Sequence, residues 1–297
     1  MMRRPVIQRA SQVFLWLVPI EFPLFIIPRL RGLLYQPGRL LPLFVFAAIQ
    51  ASLMGAAAWI LGVHAPGREE AERQPLFAAA ALLGSAWVVI GVLVPMGPPI
   101  QGPTYFDFPL DPYLRHSALI VAGLLAFGGL AVLTAALLKA GDRVLSMLGF
   151  AASIIFIINR IPQQALSATG LGRVIFTNSA MPADLGPRLV EFILFTDAIG
   201  LACGYLATGL YAAALPKLGL GKTGCRVLAG ISFGAAALFV VAAIGGLVLH
   251  LPRNSPWMIG GALGIPGFQI MLPYFMGVML LRRVGDAGDV VKSTGAA

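Results

Sequence analysis

Long apolar stretches alternate with short polar segments along the whole 297-residue chain. Most stretches hold about twenty residues, the length that a helix rising about 1.5 Å per residue needs to cross the roughly 30 Å apolar core of a bilayer. The pattern therefore predicts an all-α, polytopic bundle of about eight transmembrane helices, which forms one integral membrane domain over residues 1–297. The predicted spans cover residues 11–28, 40–63, 75–97, 116–138, 144–160, 189–214, 227–250 and 257–281.

Helices are favoured over barrel strands because the apolar stretches are continuous. A transmembrane strand shows apolar and polar residues in alternation over about ten residues, and this chain has no such segments. Composition agrees with burial in lipid, since 58% of the residues are hydrophobic and only 11% are charged, against about 25% charged in soluble domains. An ordinary soluble domain is therefore excluded.

The first apolar stretch departs from this pattern. Pro19, Pro23 and Pro28 interrupt it, and Glu21 near its centre would cost about 2.5 to 3.5 kcal/mol if it were ionised in lipid. A kinked span and a helix lying in the interface both fit this stretch. If it crosses from a cytoplasmic N-terminus, thirteen of the 21 Lys and Arg residues lie inside; otherwise the two sides carry ten and eleven. The positive-inside rule therefore favours crossing.

The eight-span topology places both termini in the cytoplasm and two long loops, residues 98–115 and 161–188, on the outer side. The preference for Arg over Lys, with abundant Ala and Gly, is typical of a GC-rich bacterial genome, so we expect the bacterial inner (plasma) membrane. The net charge of +9 is scattered between apolar stretches. That distribution indicates contact with membrane lipids rather than with nucleic acid.

Asp197 is the most informative single residue. It lies about eight residues from the outer end of the sixth predicted span, which places it near the bilayer midplane. A carboxylate there is costly unless it is paired or protonated. Helical spacing places Gly200, Gly204 and Thr208 on the same face. Two interpretations remain open: a proton- or ion-linked site, and a protonated Asp that hydrogen-bonds across a helix contact.

Other polar residues extend this candidate site. Glu191 lies on the same span about 120° around the helix from Asp197, so the two do not form an acid/base pair along one face. Arg160 is predicted to reach Glu191 near the outer surface, together with Arg188. The neighbouring Asn159, with two glutamines after it, is predicted to line an outward polar mouth. The candidate ligand-binding residues are thus Asp197, Glu191, Thr208, Asn159, Arg160 and Gln269.

Small residues predict how the last spans pack. Pairs of glycines four residues apart let helices approach closely, and they predict tight contact among the last three spans. The pairs are Gly200 with Gly204, Gly230 with Gly234, and Gly260 with Gly264. Pro266 is predicted to interrupt the last span and to kink or unwind it.

The sequence offers no catalytic or metal-binding motif and identifies no cofactor. A Walker loop, HExxH and GxSxG are all absent, and the two cysteines form no CxxC pair. A haem between His116 and His250 is disfavoured, because both lie at span ends rather than deep in the bundle. The favoured function is binding or transport of a small or lipophilic ligand. The alternatives are a non-catalytic subunit or assembly factor of a larger membrane complex, and an intramembrane enzyme that modifies a lipid or isoprenoid.

Overall fold

The computed structural model describes residues 3–20, 39–62, 70–93, 107–108, 110–169, 187–249, 263 and 266–294. Within these ranges the chain forms eight α-helices and no β-strand, which confirms the predicted all-α bundle. The helices are α1 (Arg3–Leu17), α2 (Leu41–Gly62), α3 (Glu70–Leu93), α4 (Asp111–Lys139), α5 (Val144–Ser167), α6 (Pro187–Ala214), α7 (Lys222–Leu247) and α8 (Pro266–Thr294). Short 3-10 turns follow α1 at Val18–Ile20 and α6 at Leu215–Leu218.

Six of the described segments are long and apolar enough to cross a membrane, which supports a multi-pass membrane protein. They are Leu41–Leu61, Gln74–Gly91, Asp111–Lys139, Val144–Ser167, Leu194–Leu218 and Lys222–Gly246. The first predicted span is represented by a shorter apolar segment, Val6–Ile20. Its remaining residues, 21–28, lie outside the described ranges.

Helix α8 is the centre of the bundle. It packs against α1, α2, α3, α4 and α6, and almost every residue from 267 to 281 is buried or half-buried. A helix that is apolar on all sides lies in a protein core or in a membrane, and the sequence FQIMLPYFMGVMLL has that character. The remaining helices are neighbours in chain order: α3 packs against α4, α4 against α5, α5 against α6 and α6 against α7.

Buried hydroxyl groups join helices across the core. The Tyr211 hydroxyl on α6 lies 2.6 Å from the Thr134 hydroxyl on α4, and Thr134 Oγ1 also donates to the Leu130 carbonyl at 2.9 Å. Because Thr134 has one hydroxyl proton, Tyr211 is the donor of the shorter bond. On the same helix, Tyr205 donates to the carbonyl of Leu263 at 2.6 Å. Helix α6 is thereby tied to α4 and to the segment before α8.

Two helix boundaries differ from the predicted spans. Helix α5 continues to Ser167 rather than ending at residue 160, because its polar C-terminal residues are buried inside the bundle, where hydropathy alone cannot place them. Part of the predicted loop 161–188 is therefore helical. Helix α8 begins at Pro266, inside the predicted span 257–281. Residues 257–262, 264 and 265 lie outside the described ranges, so the interruption of that span at Pro266 stays a prediction. The first helical position suits proline, since an N–H there has no intrahelical acceptor.

The predicted glycine contacts are only partly present. Gly200 and Gly204 face neighbouring helices, but side chains built at Gly230 and Gly234 would meet nothing within 4 Å. The prediction for that pair is wrong because these two glycines lie on the face of α7 turned away from α6, and α7 contacts α6 instead through a Phe233 ring seated on Gly209. Gly260 and Gly264 lie outside the described residues.

Candidate functional site

A buried ion pair joins α5 to α6. Arg160 Nη1 donates a hydrogen bond to Asp197 Oδ1 at 3.0 Å. The Arg160 side chain is 6% exposed and that of Asp197 is 20% exposed. A charged pair in an apolar layer requires close geometry, because each ion loses its hydration. Asp197 thus has the compensating partner that its position demands.

The structure gives Arg160 a partner that the sequence did not predict. Arg160 was expected to reach Glu191, and its described contact is with Asp197. Hydropathy and spacing on α6 alone do not reveal which of its carboxylates faces α5, because that depends on how the two helices are rotated against each other. Glu191 lies in α6, but its side chain is outside the described part of the structure. Its place in the site therefore stays a prediction.

The ion pair lies towards one end of the bundle. Arg160 comes 17 residues after Arg143, which precedes α5, and Asp197 comes 17 residues before Ala214, which ends α6. At about 1.5 Å per residue, both lie about 25 Å from the end formed by the α4–α5 turn. This distance is measured along the helices and not from a bilayer surface, so the predicted midplane position of Asp197 stays a prediction.

A second polar group lies one turn further along α5. His116 Nδ1 on α4 is 2.7 Å from Gln164 Oε1. A carbonyl oxygen only accepts, so Nδ1 carries the proton in this bond. Gln164 Nε2 in turn donates to Gln163 Oε1, and Gln163 Nε2 donates to Ser167 Oγ at 3.3 Å. The result is a buried hydrogen-bonded chain that connects α4 to the last two turns of α5.

His116 and Gln164 belong beside the ion pair, although they are not among the predicted ligand-binding residues. Gln164 lies one helical turn after Arg160 on α5 and bonds to His116, so the two polar groups are neighbours. The polar character of residues 159–164 signalled that this region matters, but the partner on α4 is 48 residues away. A hydrogen bond over that separation leaves no periodic signal in one sequence.

The small-residue face of α6 packs as its spacing predicts. A Cβ at Gly200 would lie 2.9 Å from Asn159 Cβ, and one at Gly204 would lie 2.5 Å from Gln269 Nε2. Gln269 donates a long hydrogen bond of 3.4 Å to the carbonyl of Leu201. Asn159 Nδ2 donates to the carbonyl of Ile155 in its own helix. Asn159 thus packs against Gly200, and its predicted place in an outward polar mouth stays a prediction.

A small cleft lies between α4, α5, α6 and α8, deeper than the ion pair. The predicted residues Thr208 and Gln269 both line it, and so does Phe156, one helical turn from Arg160. The complete lining is Ala126, Leu130, Ser153, Phe156, Gly204, Ala207, Thr208, Gln269, Ile270 and Pro273. Its wall is mostly apolar and it has room for about one water molecule. The Thr208 hydroxyl donates a hydrogen bond of 2.9 Å to the carbonyl of Gly204.

The chain matches no protein-family model, and searches of curated proteins and of solved structures return no match. The site is therefore described by its own chemistry. Within the described ranges no three His, Cys, Asp or Glu side chains are grouped so that they could hold a metal ion. His250, the other half of the disfavoured haem pair, lies outside those ranges.

The arrangement combines a fixed positive charge with a carboxylate that can be neutralised. Arginine stays protonated at any physiological pH, whereas Asp197 can accept a proton. Arg160 and Asp197 share one hydrogen bond, although a guanidinium has five N–H donors and a carboxylate has two oxygens. Such a pair can be opened by a proton or by a competing ion. Its neighbours are the His116–Gln164 pair on one side and the apolar cleft on the other.

Proposed function

We propose that the protein binds or transports a small or lipophilic ligand within its bundle, and that the Arg160–Asp197 ion pair is the element that responds to the ligand. The observation that carries the proposal is the 3.0 Å contact between these side chains in two apolar helices. Opposite charges buried in lipid are rare, and where they occur they commonly mark ion or substrate pathways.

A purely structural role is a weaker explanation for this pair. Buried ion pairs contribute little net stability, since hydrophobic residues of similar volume often do as well or better. The α5–α6 contact already has close packing at Gly200 and Gly204. An ion pair in addition to this packing between α5 and α6 indicates a role in ligand binding.

The proposal is tested by native mass spectrometry of protein extracted gently from its membrane. We expect the wild type to carry a small molecule that dissociates at higher collision energy. The double variant Arg160→Gln/Asp197→Asn, which removes both charges together, should be extracted in a folded state without this molecule. A wild type that carries no small molecule, or a double variant that retains it fully, would contradict the proposal.

Asp142→Asn supplies a matched control. Asp142 is buried at the opposite end of the bundle, where its Oδ2 accepts a hydrogen bond from the Ser146 N–H at 2.7 Å. Asparagine offers the same acceptor and serves nearly as well at a helix start. This variant makes the same chemical change far from the ion pair. It should therefore keep the bound molecule.

A second candidate function is that of a non-catalytic subunit or assembly factor. Two observations favour it: the cleft is no larger than a water molecule, and Gly230 and Gly234 on α7 face open space. Small residues on an exposed helix face allow another transmembrane helix to approach closely. The same mass measurement separates the candidates, since a subunit would be extracted with another protein in fixed stoichiometry.

A further inference from the structure

Arg160 has unused binding capacity at a buried position. One of its five N–H donors bonds to Asp197, and the others bond to nothing in the described part of the chain. The Arg160 side chain is 6% exposed, so it is not fully enclosed. A guanidinium commonly binds a carboxylate or phosphate through two parallel hydrogen bonds. The bond to Asp197 is single, so a better-fitting oxyanion can compete for Arg160.

We infer that Arg160 receives the oxyanion head of an acidic amphiphile, and that Asp197 takes up one proton when the head displaces it. The inference rests on the proposed function and names its ligand class. The exchange balances in charge: the bound oxyanion replaces the Asp197 carboxylate at Arg160, and one proton from solvent neutralises that carboxylate. No covalent bond is made or broken other than the O–H bond on Asp197.

The chemistry of the pair favours an anionic ligand over a cationic one. A cation that competed for Asp197 would leave Arg160 charged and without a partner in an apolar environment, because arginine does not release its proton. An anion that competes for Arg160 leaves a carboxyl group that can be neutralised. Only the second exchange avoids an isolated buried charge.

The groups around the pair agree with this assignment. On α4, the charges of Arg115 and Arg160 both act on the His116 ring, and the buried Asp111 lies one turn before Arg115. On α6, the charge of Arg160 acts on the Tyr205 phenol, and on α8 the residue of the site that bonds to α6, Gln269, is uncharged. Among the described residues, Asp197 is the carboxylate in contact with Arg160.

An apolar chain on the ligand is indicated by what lies next to Arg160. Phe156, one turn deeper on α5, lines the apolar cleft with Gly204 and Pro273. That cleft has room for about one water molecule, so the chain of a ligand held at Arg160 lies instead against the exposed apolar side chains of α6 beside Asp197, which are Leu194, Phe195 and Ile199. A soluble anion would gain nothing from them, whereas the apolar chain of an amphiphile stays out of water beside them.

Four probes test the inference in nanodiscs of neutral phosphatidylcholine. Dodecyl sulfonate is permanently anionic, dodecanol is neutral, dodecyltrimethylammonium is permanently cationic, and ethane sulfonate has the anionic head without the chain. Calorimetry in two buffers of different ionisation enthalpy gives both the affinity and the number of protons taken up. We expect dodecyl sulfonate to bind at least tenfold more tightly than the other three probes, with about one proton taken up per probe.

The variants should respond in opposite directions. Arg160→Gln should weaken binding of dodecyl sulfonate at least tenfold. Asp197→Asn should strengthen it at least tenfold and abolish proton uptake, because Arg160 is then already released. Asp142→Asn should leave both affinity and proton uptake unchanged. If Asp197→Asn cannot be purified in a folded state, the proton count of the wild type and the loss in Arg160→Gln still decide the question.

Failure of the inference can be told apart from failure of the proposed function. Preferred binding of dodecanol or dodecyltrimethylammonium that depends on Asp197 would overturn the inference and leave the proposed function standing. If ethane sulfonate bound as tightly as dodecyl sulfonate, the ligand would not need an apolar chain. The assignment of an amphiphile would then be wrong. If no probe binds and the extracted wild type carries no small molecule, both are overturned.

Discussion

The hydroxyl of Tyr274 on α8 donates a 2.6 Å hydrogen bond to the carbonyl of Leu15 on α1. In an uninterrupted helix the N–H of residue 19 would bond to that carbonyl, but residue 19 is a proline, which has no N–H. Tyr274 is only 1% exposed, so the bond is made inside the core. A side chain of the central helix therefore satisfies a carbonyl that Pro19 leaves open, and it fixes the end of α1 to the bundle.

Tyr274→Phe should destabilise the protein by about 1 to 2 kcal/mol. The ring and its packing against Trp87 remain, but the Leu15 carbonyl loses its buried donor. Thermal or denaturant unfolding in detergent measures the loss. Tyr113→Phe is the matched control, since the Tyr113 side chain is 57% exposed. Equal stability of the two variants would show that the Tyr274 hydroxyl contributes nothing.

Much of this fold is predictable because transmembrane helices must satisfy their own backbone groups and be apolar over about twenty residues. The six apolar segments recognised in the structure each overlap one predicted span. Predicted ends shift where polar residues are buried instead of solvated, as at the end of α5, where Gln164 and Ser167 are buried. Hydropathy records polarity and not direction, so it ended that span too early.

The sequence predicted several residues of the candidate site, but it did not predict which of them contact each other. The cost of a carboxylate in lipid singled out Asp197, and helical spacing placed Gly200 and Gly204 on its face. The choice of Arg160 as partner depends on the rotation of α5 against α6. The His116–Gln164 bond depends on the register of α4 against α5. Neither quantity is encoded in the periodicity of a single helix.

A double-mutant cycle should show strong coupling between Arg160 and Asp197. Asp197→Asn leaves a buried cation without a partner and should cost about 3 to 5 kcal/mol. The double variant Arg160→Gln/Asp197→Asn should be more stable than the sum of the single losses implies, since neither charge remains. Unfolding of all four proteins in one detergent measures the coupling. Additive losses would mean that the ion pair is not formed in solution.

The single variants should also differ in their response to pH. In Arg160→Gln the unpaired Asp197 can be neutralised, so the folded state binds a proton more readily than the unfolded state and stability rises as pH falls. In Asp197→Asn the remaining Arg160 cannot lose its charge. The loss of folding stability in Asp197→Asn relative to wild type should therefore stay constant between pH 7 and pH 5. Parallel pH profiles of the two variants would contradict this assignment.

Alanine substitutions at two glycines should act in opposite directions. A Cβ at Gly129 on α4 would lie 2.8 Å from Leu83 Cγ and 3.1 Å from the Ala79 carbonyl on α3. Gly129→Ala should therefore cost about 1 to 3 kcal/mol through overpacking. Gly230→Ala meets no atom within 4 Å and should stabilise α7 by up to about 1 kcal/mol. Thermal unfolding separates the two, and a loss in Gly230→Ala would reveal a contact on that face of α7.

The end of the bundle that holds the α4–α5 turn is expected to face the cytoplasm. Exposed cations gather there at the end of α4, the start of α5 and the α6–α7 connection: Lys139, Arg143, Lys217, Lys222 and Arg226. Arg283 on α8 joins them, because its Nε donates to the carbonyl of Leu218 at 3.4 Å. The acidic residue among them, Asp142, is buried and bonded to a helix N-terminus, so it does not neutralise the exposed patch. Positive charge in short loops is retained on the cytoplasmic side.

Cysteine labelling in intact cells tests this orientation. After Cys203 and Cys225 are replaced by alanine, a cysteine at Lys222 should react only with a membrane-permeant maleimide. A cysteine at Tyr113, at the opposite end of the bundle, should also react with an impermeant one. Each position serves as the control for the other, because both are exposed. The reverse labelling would place the basic end outside, which would remove the charge argument for an eight-span topology with cytoplasmic termini.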